Sequence, residues 1–200
     1  MTHKLTYFDF AGSRGEECRL AFCLAGEAFE DHRIEMKQWP EIKPSTPFGA
    51  LPMLEIEGEG LLAQSNAILT WIGRRYGVLP KDEFEAARHL AVMEACEELR
   101  GKVNPTSSLK DESEKKAARE ALASGYLQEW GRQMNAQVKG PYLGGTNPSV
   151  ADIKIYMILG WFKRGGLDYI SPQIFDQLGQ LNGVYDAMHA HPAIQSWQNR

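Results

Sequence analysis

The feature of this sequence that most constrains its fold is a change in hydrophobic pattern about 80 residues from the start. In the first part, short runs with the period of two that a strand requires alternate with runs of helical spacing. From Phe84 to the end, apolar residues recur only at helical spacing, interrupted by Asn-Pro, Gly-Pro, Ser-Pro and His-Pro turn signals. We therefore predict an α/β domain over residues 1–77 and an all-α domain over residues 83–200.

Glycines mark where several elements of the first domain end. Gly26 and Gly77 each follow a helical run, where a C-terminal glycine stops a helix. Gly58 and Gly60 separate two apolar runs and predict a hairpin. The predicted elements are strands over 3–8, 29–34, 51–58 and 60–63, helices over 16–26 and 65–77, and an irregular piece over 39–47.

One helix start in the second domain is sharply marked. Ser149 stands three residues before Asp152, directly ahead of the apolar run 153–161. A serine and an acidic residue at this spacing form a capping box, in which each side chain bonds the backbone amide of the other residue. We predict that Ser149 caps this helix, which is a structural role.

Charge and composition argue against several classes of protein. The net charge is −4 with both signs interspersed, so the chain has no basic stripe for nucleic acid or an anionic membrane. No apolar run approaches the roughly 20 residues of a membrane span, and the start lacks the apolar core of a signal peptide, which predicts a cytoplasmic protein. Cys18, Cys23 and Cys96 lack CxxC spacing and the histidines are scattered, so we expect neither a disulfide framework nor a metal site.

Tyr7 stands at the predicted end of the first strand, where side chains reach the rim at which open α/β folds bind ligands. Tyrosine is also an ordinary strand former, so the position alone does not assign a function. Ser13 and Arg14 follow in a glycine-containing loop before a helix, where free amides and the helix dipole favour an anion. A thiolate is such an anion, because a thiol with a pKa near ~8.5 becomes reactive at neutral pH only when that pKa is lowered.

Two dipeptides of the first domain have both a structural and a functional interpretation. Leu51-Pro52 precedes an apolar strand; X-Pro bonds can be cis, but the residues alone favour a trans proline at a strand start. Gln64-Ser65 precedes a helix, so Ser65 is an N-cap or a first-turn residue. The amides there can also hold a bound carboxylate.

Taken together, these segments resemble the sigma-class glutathione transferases, which include the haematopoietic prostaglandin D synthases. The resemblance is dense in the first domain and thin in the second. The segments that carry it are Lys4–Phe8, Glu30–Glu35, Trp39–Lys43, Thr46–Gly49, Leu51–Glu55, Gln64–Ser65, Ser149–Asp152 and His191–Trp197. It implies the architecture of cytosolic glutathione transferases, a thioredoxin-like N-terminal domain plus an all-α C-terminal domain, assembled as a homodimer.

The resemblance also implies roles toward glutathione around the sulfur and the glycine end. Tyr7 matches the tyrosine that donates a hydrogen bond to the glutathione sulfur. Arg14 resembles the arginine near the sulfur, in a loop one residue longer than the usual pattern. Trp39 and Lys43 match the pair that holds the glycine end. Ser13 is the competing hydroxyl, because other classes use a serine in this loop, although it is also explained as a helix-start residue.

Further matches concern the cysteinyl and γ-glutamyl parts of glutathione. Leu51 matches the residue whose backbone pairs with the cysteinyl part, and Pro52 matches a proline that is cis in this family. Gln64 and Ser65 match the residues that hold the γ-glutamyl end. Ala50 replaces the usual lysine, so any contact from that side chain is absent.

The second domain departs from the family pattern in two places. Glu98, with Glu97 as the alternative, aligns with an acidic residue that reaches across the dimer to the glutathione amino group, where aspartate is usual. Where the prostaglandin synthases carry aromatic groups over the electrophile pocket, this chain has Lys102, Pro105 and Lys154. We therefore do not carry prostaglandin synthesis over.

The implied reaction is attack of the glutathione thiolate on a small hydrophobic electrophile, held in an apolar cleft between the domains and lined by Phe8 and Phe10. One alternative is an isomerase that returns glutathione unchanged, which consumption of free thiol would distinguish. A second is a non-catalytic binding or structural protein, because fold does not fix function. A thiol–disulfide oxidoreductase is disfavoured by the missing CxxC.

Overall fold

The computed structural model describes residues 3–200, so Met1 and Thr2, which the sequence analysis includes in the first domain, lie outside the described residues. The chain divides into two compact units. The first runs to Ala86 and also includes Ala190–Arg200, and the second comprises Ala87–His189. The predicted boundary between residues 77 and 83 stays a prediction.

A mixed four-stranded sheet forms the centre of the first unit. Its strands are β1 (His3–Phe8), β2 (Phe29–Ile34), β3 (Met53–Ile56) and β4 (Gly60–Ala63). They lie in the order β2-β1-β3-β4, with β1 parallel to β2 and antiparallel to β3, which in turn is antiparallel to β4. The four predicted strands and the predicted hairpin are confirmed, although β3 is shorter than the predicted strand over 51–58.

The helices of the first unit are α1 (Ser13–Ala25), α2 (Trp39–Ile42), α3 (Ser65–Tyr76) and α9 (Pro192–Gln198), with the start of α4 (Glu83–Val103). Gly26 and Gly77 are left-handed and end α1 and α3 as predicted. Two expectations differ from the structure. The piece over 39–47 is largely helical, since α2 lies between 3-10 turns over Met36–Gln38 and Lys43–Ser45. Helix α1 begins at Ser13, three residues earlier than predicted.

Alternate residues of β1 face α1. His3 stacks on Phe22 with ring centroids 5.9 Å apart, and Leu5 is fully buried. Tyr7 lies against Gly15, at the opposite end of the same helix. Because side chains two apart share one face of a strand, these contacts fix the face that β1 turns to α1.

The second unit is built from helices. They are the rest of α4 (Glu83–Val103), α5 (Glu112–Ser124), α6 (Tyr126–Gln137), α7 (Val150–Lys163) and α8 (Gly179–Ala190), with a 3-10 turn over Asn104–Ser108. Helix α7 is buried along nearly its whole length and forms the centre of this unit. An α/β domain followed by a helical domain is the predicted fold class, which is confirmed.

The predicted capping box at the start of α7 is confirmed. The Asp152 carboxylate accepts hydrogen bonds from the Ser149 amide (2.8 Å) and hydroxyl (2.7 Å). It also accepts one from the Leu143 amide at 2.6 Å, which ties the preceding loop to the helix. Burial raises the pKa of Asp152, against the lowering effect of these hydrogen bonds.

We predict that Asp152→Ala lowers the free energy of unfolding by about 2–5 kcal/mol, because it leaves the buried amides of Ser149 and Leu143 without an acceptor. Asp111→Ala is the matched control, since Asp111 caps α5 through the amides of Ser113 and Glu114 but is exposed. Its loss should be much smaller, because water replaces the carboxylate there. Urea denaturation of both variants measures the difference, and equal losses would contradict the prediction.

Candidate functional site

The register of the sheet gathers the predicted site residues of the first unit at one edge. Thr6 of β1 pairs with Met53, and Met53 pairs with Ala63. The end of β1, the start of β3 and the end of β4 therefore lie side by side. Tyr7, Leu51-Pro52 and Gln64-Ser65 each come at this edge.

The segment after β2 reaches the same edge, because β2 runs parallel to β1 and its Ile34 pairs with Phe8. It leads into α2, where the Trp39 ring lies 5.6 Å from the Phe8 ring, centroid to centroid. Phe10 lies 5.6 Å from the Tyr7 ring and 6.5 Å from the Phe8 ring. An aromatic cluster of Tyr7, Phe8, Phe10 and Trp39 thus covers the end of β1.

Gly15 provides the space for the Tyr7 ring. A Cβ atom built on Gly15 would lie 2.0 Å from Tyr7 Cδ1 and 2.1 Å from Cγ, closer than any real contact. The first turn of α1 therefore approaches the ring as closely as a backbone can. Tyr7 is 5% exposed and is held against the start of the helix.

Two helices begin at this edge of the sheet, α1 after β1 and α3 after β4. Neither helix has a side-chain cap, because the N-cap residue of α1 is Gly12, which has no side chain, and the Gln64 side chain makes no capping hydrogen bond with α3. Ser13 (φ 55°) and Gln64 (φ 73°) have left-handed backbones, which non-glycine residues rarely adopt and which are found often at functional sites. Both helix dipoles present their positive ends here, so the edge favours anions.

The structure places the other residues predicted for this site as follows. The peptide bond between Leu51 and Pro52 is cis, as the family resemblance implies and the residues alone do not. Ser65 is the first residue of α3 and is buried. Lys43 is exposed, and its Cε lies 3.4 Å from the position of a Cβ on Gly49. Arg14 lies in the first turn of α1 and is half-buried.

The two glutamates proposed for the second unit have different surroundings. The Glu97 carboxylate accepts from Arg100 at 2.8 Å and from the fully buried Lys154. Glu98 is more exposed and pairs with Lys102 at 3.7 Å. Of the two, Glu98 is therefore the carboxylate that faces solvent.

The cysteines do not provide a reactive thiol at this edge. Cys18 and Cys96 are buried, and burial raises the pKa of Cys23 to about 11. In residues 3–200, no group of three or more His, Cys, Asp and Glu side chains is arranged to hold a metal ion. No helix in that same range is long and apolar enough to cross a bilayer.

Sequence reasoning missed three residues that contact the aromatic cluster or its support. Gly15 lies inside α1, although the sequence predicts a glycine-containing loop there. Arg19 is fully buried, with its guanidinium carbon 5.8 Å from the centroid of the Tyr7 ring, and Glu16 pairs with it. The available signal was an arginine on the apolar side of a predicted helix, where burial requires a partner.

Comparison with known protein families identifies both parts of the chain. Residues 3–74 match the family model described as "Glutathione S-transferase, N-terminal domain". Residues 97–200 match the model described as "Glutathione S-transferase, C-terminal domain".

Individual relatives agree with these matches. Over 103 residues the chain is 44% identical to glutathione S-transferase 1 of Ascaris suum, a match covering 52% of this chain and 49% of that protein. The structure of prostaglandin synthase D of Nilaparvata lugens superposes with a TM-score of 0.87 at 30% identity, covering 100% of this chain and 98% of the other. Na-GST-3 of Necator americanus, a glutathione S-transferase described as monomeric, has a TM-score of 0.83 at 27% identity, covering 100% and 97%.

We predict that Gly15→Ala lowers the free energy of unfolding by about 1–3 kcal/mol, because the added methyl group overlaps the Tyr7 ring. Helix propensity alone predicts the opposite sign, a gain of about 0.5–1 kcal/mol. Gly183→Ala on α8 is the control, since a Cβ there meets open space. Denaturant titration of both variants decides the sign, and a stabilised Gly15→Ala would show that the ring does not lie on Gly15.

Proposed function

The chain belongs to the glutathione S-transferase family, and from that premise we propose that it binds glutathione at the edge where Tyr7 meets the start of α1. Tyr7 donates a hydrogen bond to the glutathione sulfur and keeps it ionised. The thiolate then attacks a small apolar electrophile. The observation that carries the proposal is the convergence of Tyr7, the cis Leu51-Pro52 bond and Ser65 at one edge of the sheet.

The chemistry of the sulfur supports the roles of Tyr7 and α1. A free thiol is mostly protonated at neutral pH, and each unit by which its pKa falls corresponds to about 1.4 kcal/mol. A phenol hydroxyl and the N-terminus of a 13-residue helix both favour the thiolate. Arg14, in the first turn of that helix, adds a positive charge. The enzyme's contribution is therefore to hold an ionised sulfur in a fixed position.

The remaining residues suit the two carboxylate ends and the peptide backbone of glutathione. Lys43 and Trp39 hold the glycine end, and the Leu51 backbone pairs with the cysteinyl part. Gln64 and Ser65 hold the γ-glutamyl end, where the Gln64 side chain makes no capping hydrogen bond to the first amides of α3.

The electrophile is a small hydrophobic molecule that contacts Phe8 and Phe10. The Nilaparvata lugens relative is named a prostaglandin synthase, but the residues here give no support for the same substrate. Lys154, one of three residues that replace aromatic groups of that class, is fully buried beside Glu97. Conjugation of glutathione is therefore the proposed reaction, in a cytoplasmic enzyme.

We also propose that two copies of the chain form a homodimer and that Glu98 of each copy completes the glutathione site of the other. The support is the solvent-facing position of Glu98, in contrast to Glu97. The Necator americanus relative described as monomeric makes the assembly state a necessary measurement.

We predict that Tyr7→Phe raises the pKa of the bound glutathione thiol by about one to two units, the equivalent of one charge-assisted hydrogen bond of about 1.5–3 kcal/mol. Turnover near neutral pH falls with it, while ring packing on Gly15 is kept. Ser13→Ala should change little. The measurement is thiolate absorbance of the glutathione complex against pH, and a large shift in Ser13→Ala with none in Tyr7→Phe would reverse the assignment.

We predict that Glu98→Gln weakens glutathione binding by about five- to tenfold, because one charged partner of the amino group is lost. Glu120→Gln is the control, an exposed glutamate of α5 that pairs with Lys116 at 3.9 Å. Calorimetry gives the affinities and light scattering the assembly state at the same concentrations. A monomer with full affinity would refute the shared site.

A further inference from the structure

Arg19 lies near Tyr7 and donates hydrogen bonds from all three of its guanidinium nitrogens. It is fully buried in α1, and its Nε donates to Asp31 Oδ1 at 2.8 Å. Its Nη1 donates to the Phe10 carbonyl at 3.0 Å and to Glu16 Oε2 at 3.1 Å. Its Nη2 donates to the Phe8 carbonyl at 3.2 Å. One guanidinium thus joins the second strand, the first helix, and the end of the first strand with the turn that follows it.

The two carbonyls that Arg19 holds belong to the turn directly after Tyr7. Phe8 follows Tyr7 in β1, and Phe10 lies two residues further on, so the bonds fix the backbone at the end of the strand. The guanidinium carbon is 5.8 Å from the Tyr7 ring centroid, within the range of a cation–π contact.

Arg19 lies one helical turn after Gly15, on the same face of α1. Gly15 leaves room for the Tyr7 ring. Arg19 places its guanidinium near that ring and fixes the backbone directly after Tyr7. An apolar side chain could fill the position of Arg19 without the desolvation cost of a buried charge. What a guanidinium alone supplies is the simultaneous hold on two carbonyls and two carboxylates.

Glu16 connects this arrangement to the end of the chain. Its Oε2 accepts from Arg19, and its Oε1 accepts from the indole Nε1 of Trp197 in α9 at 2.7 Å. The Trp197 ring also lies 5.9 Å from Phe29 of β2. Glu16 is 7% exposed, so its carboxylate depends on these two donors for its position.

We propose that Arg19 is a positioning residue for Tyr7, and that Trp197 holds Arg19 in place through Glu16, so that α9 adjusts the hydrogen bond from Tyr7 to the sulfur. The inference rests on the proposed function, in which Tyr7 is that donor. The charged groups that face Arg19 are Glu16 on its own helix and Asp31 on β2, and Asp31 is shared with Arg33 at 2.7 Å.

Trp197→Phe is the mild test, because it keeps a ring in place and removes only the donor to Glu16. We expect the pKa of the bound glutathione thiol to rise by about half a unit, a roughly threefold fall in thiolate fraction, with KM for glutathione unchanged. Trp71→Phe is the matched control, since it removes an indole donor to Glu59 (3.2 Å) elsewhere in the same unit. It should leave the thiol pKa as in the wild type.

Arg19→Lys is the stronger test, because it keeps the positive charge and loses the planar guanidinium that donates to several acceptors at once. We expect the bound-thiol pKa to rise by about one unit, and kcat at neutral pH to fall about tenfold. If Arg19→Lys does not fold, Trp197→Phe decides alone.

The Tyr7→Phe variant, measured alongside, separates the possible failures. If it raises the bound-thiol pKa while Trp197→Phe lowers only the melting temperature, Arg19 and Trp197 are purely structural and this inference is overturned. If Tyr7→Phe itself leaves the thiol pKa unchanged, the proposed donor is wrong and the inference falls with it.

Discussion

The close contact between β1 and α1 at Gly15 is the constraint on which the rest of the candidate site depends. The backbone of β1 is held on both sides by β2 and β3, so the direction of Tyr7 is set by the sheet. Only a residue without a Cβ lets the first turn of α1 meet the ring at this distance. The same approach brings the positive end of the helix to the end of the strand. The Tyr7 hydroxyl and the positive end of the α1 dipole therefore act at the same place.

Sheet topology extends this arrangement from one residue to a site. A parallel β1–β2 pair and an antiparallel β1–β3–β4 set bring the chain after β1, before β3 and after β4 to a common edge. Each of these connections carries a different group, namely the Tyr7 phenol, the cis Leu51-Pro52 peptide bond and the start of α3. An extended tripeptide with a carboxylate at either end meets all three, which a compact ligand would not.

The parts of the fold that could be predicted from sequence are those specified within a few residues. Gly26 and Gly77 end helices by local backbone conformation, and Ser149 with Asp152 caps α7 across three residues. The start of α1 could not be predicted, because glycine is typical of a turn and the close contact with Tyr7 that explains a glycine inside the helix is not visible in the sequence. The surroundings of Glu16, and through it of Arg19, include Trp197, which is 181 residues from Glu16 along the chain. The cis bond before Pro52 followed from resemblance alone, since the residues themselves favour trans.

The longer helices of this chain start in two ways, with and without a side-chain cap. Helix α7 starts with a side-chain capping box, α5 is capped by Asp111 and α9 by His191, each satisfying backbone amides of its first turn. Helices α1 and α3 at the candidate site have no such side-chain cap, and neither does α6, which begins after Gly125 outside the site. An uncapped first turn costs stability unless another acceptor takes its amides. An anionic ligand is such an acceptor, and under the proposed function the thiolate and a carboxylate of glutathione take this place at α1 and α3, whose starts lie beside the other site residues.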